Sequence, residues 1–257
     1  QHDDFNRMVY ILLNRDNNSA LDTSDAGLGK TYIGCAVILY LDLFGYIVCL
    51  ATLKDKWKDV ANMWGILHKI RLIISYQSLR SVKNKTSEPK VLKHGYLIRT
   101  DITLDDKKQT KVVTFSPTEK TTKLIEEGCV FIFDEIQNIK DPKSDQFNAC
   151  YELIKKIPLK SRSKVLLLSR TPIDKFFFAE SLLKMLGVLK GEMFYYMSAY
   201  GGGSTYKTIE WDNTINMAQN YSKDSEKVVT EIFRNVRCYK AVDYRKAAWF
   251  LYRDVFR

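Results

Sequence analysis

The sequence predicts an α/β fold: a central parallel sheet flanked by helices, with a β-hairpin insertion and a helical C-terminal extension. Three observations predict it. Short apolar, β-rich runs at residues 46–51, 70–75, 129–133 and 164–169 alternate with segments of helical period. A glycine-bearing loop at 24–31 separates a short run from a long apolar helix. The run at 129–133 ends directly in two carboxylates, Asp134 and Glu135. Strands that alternate with helices join through crossovers, which lays the strands parallel and covers both faces of the sheet.

The elements follow in order. Phe5, Met8, Val9, Ile11 and Leu12 are spaced as one face of a helix, and a polar turn follows at 14–18. The apolar stretch 32–40 reads as a buried helix. The longest apolar run, 32–50, is interrupted by Asp42 and Gly45, so it reads as helix then strand rather than a membrane span. Residues 54–64 and 147–154 carry helical period. Residues 80–128 break the rhythm with 11 Lys/Arg against 7 Asp/Glu. Within them, 96–104 and 111–115 flank a charged stretch that reads as a hairpin tip. Residues 201–206 read as a linker or loop, and 213–257 as amphipathic helix with Val228, Ile232, Phe233 and Val236 on one face. The expected organisation is a lobe over 1–175, with its insertion at about 80–128, and an extension over 176–257.

Composition bounds the function. The 257 residues are 46% hydrophobic, with 13 Phe, 15 Tyr and 4 Trp, enough for a core without a disulfide or metal staple. Residues 1–4 lack the basic-then-apolar order of a signal peptide, so a soluble intracellular protein without a membrane partner is expected. Five cysteines (Cys35, Cys49, Cys129, Cys150, Cys238) form no C-x-x-C pair, and there are only three histidines, which argues against zinc. Cys35, Cys49 and Cys129 lie in apolar surroundings and read as small core residues. The formal charge of +10 raises the expectation of a polyanion partner, usually nucleic acid.

The chemistry concentrates in two motifs. Gly27, Leu28, Gly29, Lys30 and Thr31 precede a helix, the context in which backbone N–H groups and the helix N-terminus cradle phosphate. Lys30 would reach the β- and γ-phosphates and the Thr31 hydroxyl would ligate Mg²⁺, although Ser24 stands where the strict phosphate-loop pattern has its first glycine. About 100 residues downstream, Asp134 would hold the same Mg²⁺ and Glu135 would orient and deprotonate water. Each motif has a plainer reading, a chance capping turn and a solvated acidic turn. Together they predict a nucleoside triphosphatase that uses Mg²⁺.

In this order the residues resemble the first RecA-like lobe of superfamily 2 helicases and translocases, particularly the Snf2-like branch. Residues 25–31 look like the phosphate-binding motif of that branch, and 47–53 with Lys56, Trp57 and Trp64 resemble motif Ia. Residues 74–79 are similar to motif Ib, 134–144 to motif II, and 166–173 to motif III. Gln1, 26 residues before Gly27, lies near where the family has its adenine-reading Gln. The resemblance implies that ATP·Mg²⁺ sits on Lys30, Thr31 and Asp134 while Glu135 activates water, and that Gln137, Ser169 and Thr171 couple nucleotide state to lobe closure. It also implies that Thr52, Leu53, Lys54, Tyr76 and Gln77 touch a nucleic-acid backbone, which suits a motor that need not read sequence.

Three departures stand out: Gln137 for the usual His of motif II, Arg170 for the Gly or Ala of motif III, and the long hairpin-bearing insertion. The combination resembles divergent Snf2-like helicases and early-transcription ATPases of large DNA viruses, which implies a nuclear, virion or cytoplasmic replication site. The second lobe, which supplies arginines in this family, has no counterpart pattern in 176–257. One lobe alone is therefore expected to hydrolyse ATP weakly or not at all, since losing such an arginine lowers the rate about 10³–10⁵-fold.

Three functions remain open at this point: a double-stranded DNA translocase, a strand-separating helicase, and a degenerate ATP-binding scaffold in a transcription or remodelling complex. Plainer readings stand beside the roles. Lys54, Lys56 and Lys58 fit a solvated helix face, Tyr76 a core aromatic, Trp57 and Trp64 a core face, and Lys107 and Lys108 a solubilising tip. His68 and His94 are expected to be structural.

Overall fold

The computed structural model describes residues 2–13, 18–25, 27–81, 89–105, 110–172, 178–187, 195–200, 204–209 and 227. The chain divides into two compact units, Gln1–Pro172 and Ile173–Arg257.

The first unit is built on five parallel strands in the order β1 (Ser19–Asp22), β8 (Lys164–Leu168), β7 (Cys129–Asp134), β2 (Phe44–Cys49) and β3 (Ile70–Ser75). This is the predicted RecA-like α/β arrangement, a parallel sheet flanked by helices. All six residues of β7 are buried, as a central parallel strand requires. Helix α1 (His2–Leu13) buries Met8, Val9 and Leu12, three of the residues whose spacing predicted it.

The apolar run 32–50 divides as expected into α2 (Lys30–Leu41) and β2. The break falls at Asp42, which adopts φ 53° as the cap of α2 and binds Lys69. Helix α2 buries Ile33, Gly34, Cys35, Val37 and Ile38 against Ile47, Val130, Ile132 and α3 (Lys54–Met63), and a short helix, α4 (Tyr76–Arg80), follows β3.

The insertion is a three-stranded antiparallel sheet, β4 (Lys90–Val91), β5 (Leu97–Asp105) and β6 (Thr110–Pro117). The predicted hairpin is present, and Lys107 and Lys108 at its tip lie outside the described residues. The polar reading of 80–128 missed helix α5 (Glu119–Glu127). Thr118 caps it by accepting from the Thr121 N–H, and it buries Thr121, Leu124 and Ile125.

The insertion is anchored by buried apolar side chains, among them Leu92, Tyr96 and Leu97, with the Tyr96 ring 5.0 Å from Tyr46 of β2, and by polar groups. Arg99, 7% exposed, donates to Asp101 at 2.7 Å and to the Arg80 carbonyl at 2.9 Å. It also lies 3.6 Å from Asp145, in the first turn of α6 (Asp145–Lys155). His94 bridges the same junction. Its Nδ1 accepts from the Tyr96 N–H at 3.1 Å, which leaves Nε2 to donate to the Leu79 carbonyl at 3.0 Å.

Described parts of the second unit are helix α7 (Ala179–Met185) and an antiparallel pair, β9 (Tyr195–Tyr200) and β10 (Ser204–Ile209). Residues 204–206, read from sequence as linker, are therefore the start of a strand. The amphipathic helix predicted over 213–257 lies outside the described residues, Lys227 excepted. No described helix is long and apolar enough to cross a membrane.

Candidate active site

Register places the site. Asp22 pairs with Leu168, and Leu168 pairs with Asp134, so the C-terminal ends of β1, β8 and β7 stand abreast. With strands about 4.8 Å apart, the phosphate loop and the carboxylate pair open side by side about 10 Å apart, with the loop after β8 between them. Ligands of open α/β sheets bind at this edge.

On the β1 side, Gly27 and Gly29 both take φ 82°, a left-handed conformation that side chains resist, and a Cβ on Gly27 would meet nothing within 4 Å. Gly29 caps α2 without a side-chain bond, so the capping residue itself leaves the helix's first N–H groups open. Leu28 is 44% exposed, Lys30 half-buried and Thr31 buried. The Lys30 ammonium donates to the Asp25 carbonyl at 2.9 Å, reaching back over its own loop.

On the β7 side, Asp134 is 5% exposed, and burial pushes its carboxyl above the ordinary range, opposed by the bond from Trp57. Trp57 Nε1 donates to Asp134 Oδ2 at 2.9 Å, and the Tyr76 hydroxyl donates to the Asp134 carbonyl at 2.7 Å. Gly34 makes the first contact feasible, since a Cβ there would lie 2.6 Å from the Trp57 ring. Cys49 belongs to this buried end, its thiol pushed up to about 12 by burial and by the charge of Asp134.

Glu135 takes φ 59°, a left-handed conformation that disfavours a residue with a Cβ and turns the chain sharply after the strand. Its carboxylate accepts from Gln137 Nε2 at 2.5 Å, and Gln137 Oε1 accepts from the buried Ser169 hydroxyl at 2.5 Å. An amide can donate at one end and accept at the other, so Gln137 joins Glu135 to the strand that lies between the two motifs. Arg170, the next residue, turns the other way, and its Nε lies 3.4 Å from the Asp25 carboxylate of the phosphate loop.

The structure brings together Gly27, Leu28, Gly29, Lys30, Thr31, Asp134, Glu135, Gln137, Ser169 and Thr171 at this edge. Gln1 lies outside the described residues. Thr52 and Gln77 are exposed, and Leu53 and Lys54 half-buried, where chain leaves β2 and β3. Lys56 is exposed, and Lys58 is exposed and pairs with Asp55 at 3.1 Å.

Two expectations change. Tyr76 is 3% exposed, which leaves no surface of it for a strand of nucleic acid, and its hydroxyl serves the end of β7. Trp57 is core as expected, but Trp64 is 36% exposed because α3 stops at Met63 and the chain turns through Gly65 at φ 68°. The sequence reading missed Trp57 and Tyr76 as partners of Asp134. Their only trace was a Trp and a Tyr in the segments following two predicted strands.

The donor set fits a nucleoside triphosphate and a hard cation. Two left-handed glycines at an uncapped helix start, followed by an ammonium, suit phosphate. A buried threonine hydroxyl and a carboxylate are the oxygen ligands that Mg²⁺ takes.

The fold is a RecA-like α/β domain in which a glycine-bearing loop and an acidic strand end share one sheet edge. No protein-family model matches the chain. The chain is similar to a protein of Acanthamoeba polyphaga mimivirus named as a putative ATP-dependent RNA helicase, with 30% identity over 158 residues. That match covers 61% of this chain and 27% of the viral protein.

Proposed function

We propose that the chain is the ATP-binding lobe of a nucleic-acid-dependent ATPase motor of superfamily 2, of the Snf2-like, double-stranded DNA translocase type. The observation that carries the reading is the juxtaposition at one sheet edge of the Gly27–Thr31 loop, the Asp134–Glu135 pair and the Ser169–Gln137–Glu135 bonds between them. Gly27, Leu28, Gly29 and Lys30 hold the phosphates, Thr31 and Asp134 hold Mg²⁺, and Gln1 contacts the base. Bound Mg²⁺ supplies charge neutralisation at the phosphates. Glu135 takes the proton of the attacking water. Gln137, Ser169 and Thr171 report the state of that carboxylate to β8.

Thr52, Leu53, Lys54 and Gln77 line the ends of β2 and β3, where a polyanion backbone would run, consistent with the charge of +10. A second RecA-like lobe completes the site, so the lobe alone turns over ATP weakly or not at all. The related viral protein is named for RNA. That name favours a second reading, a strand-separating helicase acting on RNA.

The test is the ATPase rate of the protein that carries this lobe, with duplex DNA, single-stranded DNA and RNA, against Glu135→Gln. Stimulation by duplex DNA supports the translocase, and stimulation by RNA or single strands alone supports the helicase. ATP binding with no nucleic-acid-dependent turnover overturns both in favour of a scaffold.

A further inference from the structure

Resting on that reading of the site, we infer that Arg170 is a phosphate-binding residue, supplied by the chain's own loop after β8, that distinguishes ATP from ADP. The inference starts from the position of β8 between β1 and β7. Two consecutive residues after this strand turn to opposite halves of the site. Ser169 donates to Gln137 and through it meets Glu135, while the Arg170 guanidinium meets Asp25 at 3.4 Å.

Lys30 of the glycine loop and Arg170 from the loop after β8 converge on Asp25, Lys30 on its carbonyl at 2.9 Å and Arg170 on its carboxylate. A guanidinium that reaches Asp25 therefore lies within a side-chain swing of whatever Lys30 can reach. The Arg170–Asp25 pair is weak by construction, since the two side chains are 60% and 77% exposed and water competes for both. A phosphate oxygen is a better partner, because guanidinium binds it through two parallel, charge-assisted bonds.

Arg170 thus exchanges Asp25 for the terminal phosphate of a triphosphate held by Lys30, and Asp25 takes it back when the diphosphate remains. The γ-phosphate is then sensed at both ends of one short loop, by Arg170 directly and by Ser169 through Gln137 and Glu135.

The experiment is calorimetric titration of the 257-residue chain with ATP·Mg²⁺, a non-hydrolysable ATP analogue and ADP·Mg²⁺. The variants are Arg170→Ala, Arg170→Lys, Asp25→Asn, Asp25→Asn/Arg170→Ala and Lys30→Ala, each checked for an unchanged melting curve. Loss of a charge-assisted phosphate contact is expected to weaken ATP and its analogue about tenfold in Arg170→Ala, with ADP changed less than about twofold. Arg170→Lys should recover part of the loss, since a single ammonium replaces the fork. Asp25→Asn should tighten ATP, because it removes the competing carboxylate.

Equal losses for ATP and ADP in Arg170→Ala, or no loss for either, overturn the inference. So does full recovery of ATP affinity in the double variant, which would make Arg170 only a neutraliser of Asp25. If the parent chain melts cooperatively yet binds neither nucleotide, or if Lys30→Ala binds both as the parent does, the ATPase reading itself fails. Parent binding that Lys30→Ala abolishes and Arg170→Ala leaves intact removes only the role of Arg170.

Discussion

The two halves of the site are held by opposite means. Around Asp134 the bonds are buried: an indole N–H on the carboxylate, a tyrosine hydroxyl on the carbonyl, and a Trp ring packed over Gly34. Around the phosphate loop they are solvated: Lys30 on a carbonyl and Arg170 on a carboxylate, with two left-handed glycines between. Bonds made in a dry, packed setting are expensive to break, while exposed pairs exchange partners with water readily. The carboxylate end is therefore fixed by the fold, and the glycine-loop end is left free to rearrange.

Substitutions sharpen that contrast, and the largest effect is expected at Trp57. Trp57→Ala empties a wholly buried site and should lower unfolding free energy by about 3–5 kcal/mol in urea titration. Gly34→Ala thrusts a methyl to 2.6 Å from the Trp57 ring, and a loss of about 1–3 kcal/mol in the same assay is expected from overpacking. Tyr76→Phe keeps the ring but leaves the Asp134 carbonyl without its hydroxyl donor, for a loss of about 1–2 kcal/mol.

His94 gives a smaller, pH-dependent effect. Burial lowers its pKa below the ordinary 6.5, so the folded chain binds fewer protons than the unfolded one. Its contribution is complete above about pH 6.5 and is lost as the pH falls through that value toward the folded pKa. Urea midpoints between pH 7.5 and 5.5 should fall, and fall less in His94→Gln. The smallest change is expected at the solvated half. Asp25→Asn should stay within about 0.5 kcal/mol of the parent. A large loss there, or a negligible one in Trp57→Phe, would break the contrast between the two halves.

What the sequence made legible was chemistry tied to local order. The Gly27–Thr31 loop stood out because glycines, a lysine and a threonine must be contiguous to wrap a phosphate. The acidic strand end could be found because four apolar residues must run into Asp134. The hairpin showed through its alternating strands around a charged stretch. Contacts across the fold left no such mark. Trp57 and Tyr76 stand 77 and 58 positions from Asp134, distances set by crossovers and not by any repeat.

Helix α5 escaped for a different reason. It buries only two aliphatic side chains, Leu124 and Ile125, and its third buried position is Thr121, whose hydroxyl bonds the Tyr96 carbonyl. The Trp57–Trp64 spacing misled because a heptad says nothing about where a helix stops. Residues 204–206 misled because a glycine-rich approach and polar composition suit a strand of a small hairpin as well as a linker.

The strand order also has a consequence for how this lobe is made. Strand β1, which carries the phosphate loop, pairs among the described strands only with β8, so Ser19 finds its partner at Val165. During synthesis β2, β3 and β7 can already associate while β1 still waits for residues 164–168 to leave the ribosome. Contacts between such distant segments form late because the intervening chain must first be ordered. Strand β1 is made before the other four strands of this sheet and is thus the last of them to be locked, so the Gly27–Thr31 loop takes its place only once β8 exists.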